Sequence, residues 1–323
     1  MSKAFRICEH GGPEVLRWED VEVGNPGVGE ARVRHHAIGL NFIDVYHRSG
    51  LYKLALPSGI GVEGAGVVEA VGSGVTHIAP GDRVAYERPA GSYSEVRLCP
   101  AEPLVKLPQA ITFEQAAAMM VKGLTVQYLI RRTFRVQSGQ MVLLHAAAGG
   151  VGLIACQWLK ALGVSVIGTV GSESKAEIAR AHGCAHTIVL VKEDFVARVK
   201  QLTRGEGVPV VYDSIGKDTF HGSLDCLQPF GMMVSFGNAS GPVDPIAPGL
   251  LAAKGSLFLT RPSLDTYAAK RADLEAMAAE LFDAVLSGKV RIEINQRYPL
   301  RDAAHAQRDL VARKTTGSTV LLP

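Results

Sequence analysis

The residues with the clearest chemical pattern run from Leu143 to Gly163, LLHAAAGGVGLIACQWLKALG. A short apolar run leads into small residues and glycines, and these open onto a helix-like pattern. Set against the G-x-G-x-x-G spacing, the loop reads Ala147-Ala148-Gly149-Gly150-Val151-Gly152, with alanine in place of the first glycine. Gly149 lets the backbone approach a pyrophosphate, and Gly152 lets the helix pack close to the strand. The helix N-terminus beyond them offers unpaired N–H groups and the positive end of its dipole to the anion. Small residues at a strand–helix turn also serve packing alone, so the loop takes its meaning from its surroundings. An NAD site usually carries Asp or Glu about 20 residues on, bonding the ribose 2′-hydroxyl. Here that position falls near Val170, and the residues after it are Gly171, Ser172, Glu173, Ser174 and Lys175. Ser172 and Lys175 suit a 2′-phosphate, which favours NADPH over NADH. Lys175 also reads as an ordinary exposed helix lysine, and Glu173 opposes the positive field.

The elements around the loop support a nucleotide reading. From Thr112 onward strands and helices alternate: QMVLLHA, then GGVGLIACQWLKALG, VSVIGTV, ESKAEIARAHG, HTIVLV, DFVARVKQLTRG, VPVVYDSIG and GMMVSFGN. Such alternation implies a parallel sheet with crossover helices. TFEQAAAMM starts with a Thr cap and helix formers. TYAAKRADLEAMAAELFDAVLSGKV reads as one long helix with a Gly stop, and STVLLP as a final strand. The first hundred residues differ: ARVRHHAIGLN, GVEGAGVVEAVGSGV and PGDRVAY read as short strands and turns of a compact β-rich domain. Asp213, in VVYDSIG, falls at a strand's carboxyl end; it reads more readily as a loop-capping carboxylate than as a site residue.

Composition narrows the class. The chain has 323 residues, 47% hydrophobic and 20% charged, with a formal charge of +3. It can bury two cores, and its mild, dispersed basicity is not the footprint of a dedicated nucleic-acid binder. Five scattered cysteines without a C-x-x-C pair suit reduced thiols and the cytoplasm, and MSKAFRICEHGGPEVL lacks the apolar stretch of a secretory signal. No G-x-S-x-G elbow supports a hydrolase.

Taken in order, HGGPEVL at 10–16, AIGLNFIDVYHRSGLY at 37–52, GVEGAGVVEAVGSGV at 61–75, GDRV at 81–84, KGLTVQYL at 122–129, HAAAGGVGLIACQWLKALG at 145–163, VVYDSIG at 210–216, MVSFGN at 233–238 and TRPSL at 260–264 cover essentially the whole chain. On these the sequence resembles the medium-chain dehydrogenase/reductase superfamily, especially its zinc-free NADPH:quinone oxidoreductases, the zeta-crystallin-like branch. The resemblance implies an α/β fold: a GroES-like β-rich catalytic domain over 1–122, completed by 266–323, and a doubly wound Rossmann NADPH-binding domain over 123–265. Zinc alcohol dehydrogenases of the superfamily carry a Cys where this chain has Asn41, a His at Val62 and a third ligand near Val121. Catalytic zinc needs about three Cys, His, Asp or Glu ligands, and Glu63 and Asp44 alone do not supply them. The four closely spaced cysteines of a structural zinc lobe are also absent: after Val84 the stretch holds only Cys99. His35 and His36 point to opposite faces of a strand and His47 stands alone, as ordinary surface or hydrogen-bonded histidines do.

Without a metal the expected chemistry is hydride transfer from NADPH to an electrophile, a quinone or a conjugated enone. The expected pocket holds Asn41, Tyr46, Tyr52 and Thr125: Asn41 donates to the acceptor oxygen, and Tyr46 or Tyr52 positions the ring or supplies a proton, as solvent equally can. By resemblance Phe42, Ile43 and Asp44 run past the nicotinamide and Tyr128 lines the site. Gly150 and Val151 meet the pyrophosphate; Gly171, Ser172 and Lys175 meet the adenosine phosphate. Phe236, Gly237, Asn238 and Ser240 lie under the nicotinamide ribose and carboxamide, Pro262, Ser263 and Leu264 close the far side, and Arg313 reaches in from the tail. Branch members often have Tyr where this chain has Leu190, which removes one adenosine-end contact. In the family it resembles, the edge formed by GSLFLTRPSL pairs across a two-fold axis, so the resemblance implies a homodimer. Two alternatives remain: an enone, enal or enoyl-thioester reductase, and a non-catalytic NADPH-loaded protein of structural or RNA-binding kind. No basic cluster for coenzyme A and no aromatic RNA platform is evident.

Overall fold

The run EARVRHHAIGL alternates polar and apolar before turning wholly apolar at its end. In the structure, a computed structural model that describes residues 1–323, it forms the strand Glu30–Leu40, whose burial alternates and then becomes continuous. An alternating strand covers a core with one face; a continuously buried end is covered on both. Two compact units result: residues 1–124 with 270–286 and 292–323, and residues 125–269 with 287–291.

In the first unit the strand Glu30–Leu40 is the organiser. It pairs antiparallel with Glu63–Val71, Val96–Pro100 and the last strand, Ser318–Leu322, within a seven-stranded sheet. The tail therefore completes this unit, with Val320 opposite Gly39. Phe5, Ile7, Ile38, Leu40, Ile60, Tyr93, Leu300 and Leu321 fill one core, and Val33, Val68, Val84, Tyr86 and Leu104 a second. The sequence NFIDVYHRSG forms the helix Phe42–Ser49, which starts in a capping box between Asn41 and Asp44 and stops at Gly50, where φ is +83°. An N-x-x-D pattern satisfies two orphan donors at once, and only glycine takes that left-handed stop without strain.

In the second unit six strands form one parallel sheet: Met141–Leu144, Ser165–Val170, His186–Val189, Val208–Asp213, Leu227–Ser235 and Phe258–Thr260. Numbered in chain order, they lie 3-2-1-4-5-6. That is the doubly wound order, and its reversal point lies between Met141–Leu144 and Val208–Asp213, where ligand crevices open at the carboxyl ends. Leu143, Ile167, Ile188, Val211, Phe220 and Met233 form its core.

Two boundaries differ from those read in the sequence. The first unit runs through Leu124, two residues past the boundary read in the sequence and inside the helix Phe113–Tyr128. The single helix read across TYAAKRADLEAMAAELFDAVLSGKV is two, Leu264–Tyr267 and Arg271–Leu286. The break coincides with the change of unit at Ala269, where a continuous apolar stripe no longer has one core to face.

Candidate functional site

The glycine loop follows the strand Met141–Leu144 at the reversal point and opens the helix Gly150–Ala161, with Gly149 as its N-cap. The tight turn is made by Ala146, at φ +54°, so the left-handed residue sits one place before the position of the missing glycine. Ala147 is buried and its N–H donates to Thr169 O at 3.0 Å. A Cβ on Gly152 would lie 2.6 Å from the Ala147 carbonyl carbon, whereas one on Gly149 would meet only Ala146 O at 3.3 Å. Gly152 is thus required for helix–strand packing, and Gly149 keeps the approach to the helix N-terminus low. A helix of this length leaves its first N–H groups without intrahelical partners, so the cradle fits a pyrophosphate.

One strand over, Ser165–Val170 ends at buried Val170 and leads through Gly171 to the helix Glu173–Ala181. A Cβ on Gly171 would meet nothing within 4 Å, so this turn is open to an incoming group. Ser172 caps the helix, its hydroxyl accepting from Lys175 N at 3.3 Å and sharing a hydrogen bond with Ser174 at 3.0 Å. Glu173 does not oppose the field as the sequence implies, because Lys192 pairs with it at 2.8 Å and holds its carboxyl below the usual range. Leu190 is half-exposed beside Val170, to whose carbonyl it donates its N–H at 3.0 Å.

Beyond the strand Val208–Asp213, the loop 213–219 backs the loop 236–241. Asp213 is fully buried and caps its own loop: Oδ1 accepts from Ile215 N (2.8 Å) and Gly216 N (3.0 Å), Oδ2 from the hydroxyls of Thr219 (2.8 Å) and Ser223 (2.9 Å). His145 extends this network, with one ring nitrogen 2.9 Å from the Ser223 hydroxyl and the other 2.8 Å from that of Thr169. Burial pushes its pKa down and keeps it neutral. A Cβ on Gly237 would lie 2.9 Å from the Ser214 carbonyl carbon and closer still to its oxygen, so the two loops touch main chain to main chain. The Ser240 hydroxyl ties its own loop to the next, donating to Ile215 O (2.9 Å) and accepting from Asp218 N (3.1 Å). Phe236 donates its N–H to Asp213 O at 2.7 Å, and Arg261 holds Ser235 O at 2.8 Å just before Pro262 and Ser263. Tyr128 is buried, stacked on Tyr267 at 4.5 Å, and tied to Thr125.

The first unit gathers Asn41, Phe42, Tyr46 and Tyr52 around the start of the helix Phe42–Ser49. Tyr46 lies 6.1 Å from Phe42 and 5.1 Å, edge-on, from Tyr52, whose N–H donates to Tyr46 O at 3.1 Å. Phe42 and Ile43 are half-buried. Asn41 Nδ2 donates to Glu63 Oε2 at 2.8 Å. Asp44, in the segment expected to run past the nicotinamide, serves its own helix with its side chain. Its carboxyl is fully buried and turned inward, accepting from Asn41 N (2.9 Å) and the Tyr93 hydroxyl (2.8 Å), because it serves the capping box. Burial pushes its pKa up to about 7. Arg313 is an exposed residue in left-handed conformation, φ +58°, after the helix Ala303–Val311.

Where zinc enzymes hold their metal, Asn41 is committed to Glu63, Val62 is buried and apolar, and Val121 offers only its N–H, donated to Glu63 Oε1 at 2.8 Å. No group of three or more His, Cys, Asp or Glu side chains is placed to hold an ion. These residues do not fit zinc. His35 bonds Ser94 O and the Tyr86 hydroxyl, both at 2.6 Å, and burial lowers its pKa to about 3; His36 stacks on Phe113 at 4.4 Å. Three features escaped the sequence reading: Lys122, the His145–Ser223 link and Tyr267. Lys122 reads from sequence as a helix lysine among AAAMMVKGL, and that apolar setting was the signal that it is buried.

Residues 27–109 match the family described as an alcohol dehydrogenase GroES-like domain, and residues 150–282 that described as a zinc-binding dehydrogenase. A quinone oxidoreductase of Pseudomonas aeruginosa is 58% identical, with all of both chains covered. A 2-haloacrylate reductase of a Burkholderia species is 47% identical, over 100% of this chain and 99% of that one. The crystal structure of Escherichia coli quinone oxidoreductase complexed with NADPH superposes with a TM-score of 0.98 at 50% identity, covering 99% of this chain and 100% of the other. The chain belongs to the quinone oxidoreductases of the medium-chain dehydrogenase/reductase superfamily.

Proposed function

We propose that this protein is an NADPH-dependent quinone oxidoreductase that passes a hydride from NADPH to a quinone without a metal. The observation that carries the reading is the glycine loop, at the reversal point of a 3-2-1-4-5-6 sheet, with Val170 where the next strand would carry an acid, an open Gly171 turn, and Lys175 in the helix that follows. When bound, NADPH supplies the reducing hydride. The chain supplies position and electrostatics. Gly149, Gly150 and Val151 offer main-chain N–H groups to the pyrophosphate, and Gly171, Ser172 and Lys175 receive the adenosine phosphate. Phe236, Gly237, Asn238 and the Ser240 main chain support the nicotinamide end, with Pro262, Ser263 and Leu264 beside them and Arg313 as a further contact. Asn41 keeps one amide hydrogen for the acceptor's oxygen, as an oxyanion-type donor. Tyr46 and Tyr52 position the acceptor ring, and either tyrosine or solvent provides the proton; Thr125 adds a hydroxyl.

A second reading has its own support. The similar 2-haloacrylate reductase is named for reducing a conjugated alkene, and such an acceptor needs the same donor and no metal. Turnover with a benzoquinone, an enone and 2-haloacrylate at equal NADPH separates the two. The highest kcat/KM is expected with the quinone; faster alkene turnover would move the function to double-bond reduction with the cofactor site unchanged.

We further infer a homodimer through the edge strand Phe258–Thr260, where Phe258 is 58% and Leu259 38% exposed. The five free thiols, four of them buried, support a cytoplasmic setting. No helix is long and apolar enough to cross a membrane.

A further inference from the structure

Beneath Asn41 lies a buried charge pair that the function described so far does not use. Glu63 is fully inaccessible, and its carboxylate makes three contacts: Val121 N at 2.8 Å, Asn41 Nδ2 at 2.8 Å and Lys122 Nζ at 3.2 Å. Lys122 is buried with it. The fold keeps room for this carboxylate: a Cβ on Gly39 would lie 2.5 Å from the Glu63 carboxyl carbon. A buried ion pair seldom adds net stability over a well-packed apolar pair. Its retention under a half-buried aromatic patch therefore asks for a role other than holding the fold.

The chemistry of the partners supplies one. An amide side chain has two ends of nearly equal shape and opposite polarity. An ionised carboxylate only accepts, so the end facing Glu63 must be the NH2. The other end faces the Asp44 N–H in the capping-box pattern, an N–H that donates to the Asn41 main-chain O at 3.1 Å; a group that only donates favours the carbonyl oxygen there. Both ends of Asn41 are thus dictated, and one N–H is left over. Were the amide to turn over, it would offer a carbonyl oxygen to the oxygen of an acceptor, a repulsive contact.

We propose that the Glu63–Lys122 pair is a positioning device that fixes the Asn41 amide with an N–H, not its oxygen, toward the acceptor's carbonyl oxygen. Lys122 Nζ, 3.2 Å from Glu63 Oε2, gives the carboxylate a cationic partner in the same buried space. The charged and titratable groups around the pair are Asp44, from the helix Phe42–Ser49, and Tyr93, which bonds Asp44. The proposal rests on the assignment of Asn41 as donor to the acceptor oxygen.

The test uses the full chain with NADPH and a benzoquinone. Glu63→Gln keeps the shape but gives Asn41 a partner that can also donate, so the amide is no longer held one way. It is expected to lower kcat roughly tenfold, part of the loss seen when an oxyanion donor is removed. Its NADPH affinity, read by nicotinamide fluorescence, and its quinone KM are expected to stay at wild-type values. Lys122→Met is expected to do the same and Lys122→Arg to restore most of kcat, which a filler of space would not. Asn41→Ala separates the two claims. If it keeps wild-type kcat, the assignment of Asn41 fails. If it is slow while Glu63→Gln is not, the positioning proposal alone is overturned. In the wild-type protein labelled with ¹⁵N-asparagine, one Asn41 side-chain proton is expected well downfield, as a charge-assisted bond requires. An ordinary shift there overturns the proposal even if a variant fails to fold.

Discussion

In the proposed cofactor site, Lys175 is the residue that would distinguish NADPH from NADH. It follows an open turn, and the neighbouring acid, Glu173, is already engaged by Lys192. An ammonium beside a 2′-phosphate forms a charge-assisted contact that NADH cannot make. Lys175→Ala should therefore raise the KM for NADPH by about tenfold, near 1.4 kcal/mol, and leave that for NADH unchanged. Equal losses with both cofactors in steady-state assays would remove Lys175 from the phosphate site. Asp44 makes a prediction of another kind. Burial lifts its pKa from 3.8 to about 7, so the folded chain holds a proton there that the unfolded chain has released. The folded state then binds more protons, and stability falls as pH rises. The contribution is complete below about pH 4 and gone above about pH 7, a span worth roughly 4 kcal/mol at 1.36 kcal/mol per pH unit. In denaturant melts at about pH 5 and about pH 8, the wild type should lose stability that Asp44→Asn does not lose. Parallel losses in the two proteins would show that Asp44 is not the group responsible.

At the scale of elements, the glycine loop and the helix Phe42–Ser49 carry the account. Gly152 admits no Cβ because the Ala147 carbonyl carbon would lie 2.6 Å away. Gly152→Ala should push the helix Gly150–Ala161 off its strand, costing about 1–3 kcal/mol by overpacking. NADPH affinity should fall with it; Gly171→Ala, whose added methyl meets nothing within 4 Å, should melt as the wild type does. A Gly152→Ala protein with normal melting and NADPH binding would contradict the loop geometry. The strand–helix alternation of this unit was legible because each element has one period and one apolar face. The helix Phe42–Ser49 was not, since Asn41-x-x-Asp44 is a cap only if a helix follows, and NFIDVY suits a strand equally well. For the same reason the capping role of Asp44 was not legible. The packing partners of Tyr128 and Ser240, Tyr267 and Ile215, lie far away in sequence, so these contacts were not legible either.

At the scale of the whole molecule, one unit holds the glycine loop of a doubly wound sheet and the other holds Asn41, Glu63 and an aromatic patch. Glu63 shows how far sequence carries that argument. Its identity was compatible with a ligand, and only its three bonds, to Asn41, Val121 and Lys122, show it serving an amide instead of an ion. The exposed Phe258 and Leu259 place the proposed dimer at the sheet edge, so Phe258→Lys should yield monomers in sedimentation equilibrium. A sedimenting mass unchanged by that substitution would move the interface elsewhere. The central claim, metal-free reduction of a quinone by NADPH, is tested most directly by one anaerobic assay. Loss of nicotinamide absorbance is followed with a benzoquinone and either NADPH or NADH, before and after exhaustive treatment with a chelator. The account predicts turnover that favours NADPH and is the same in the chelated enzyme. Turnover that is abolished by the chelator and restored by zinc would contradict it.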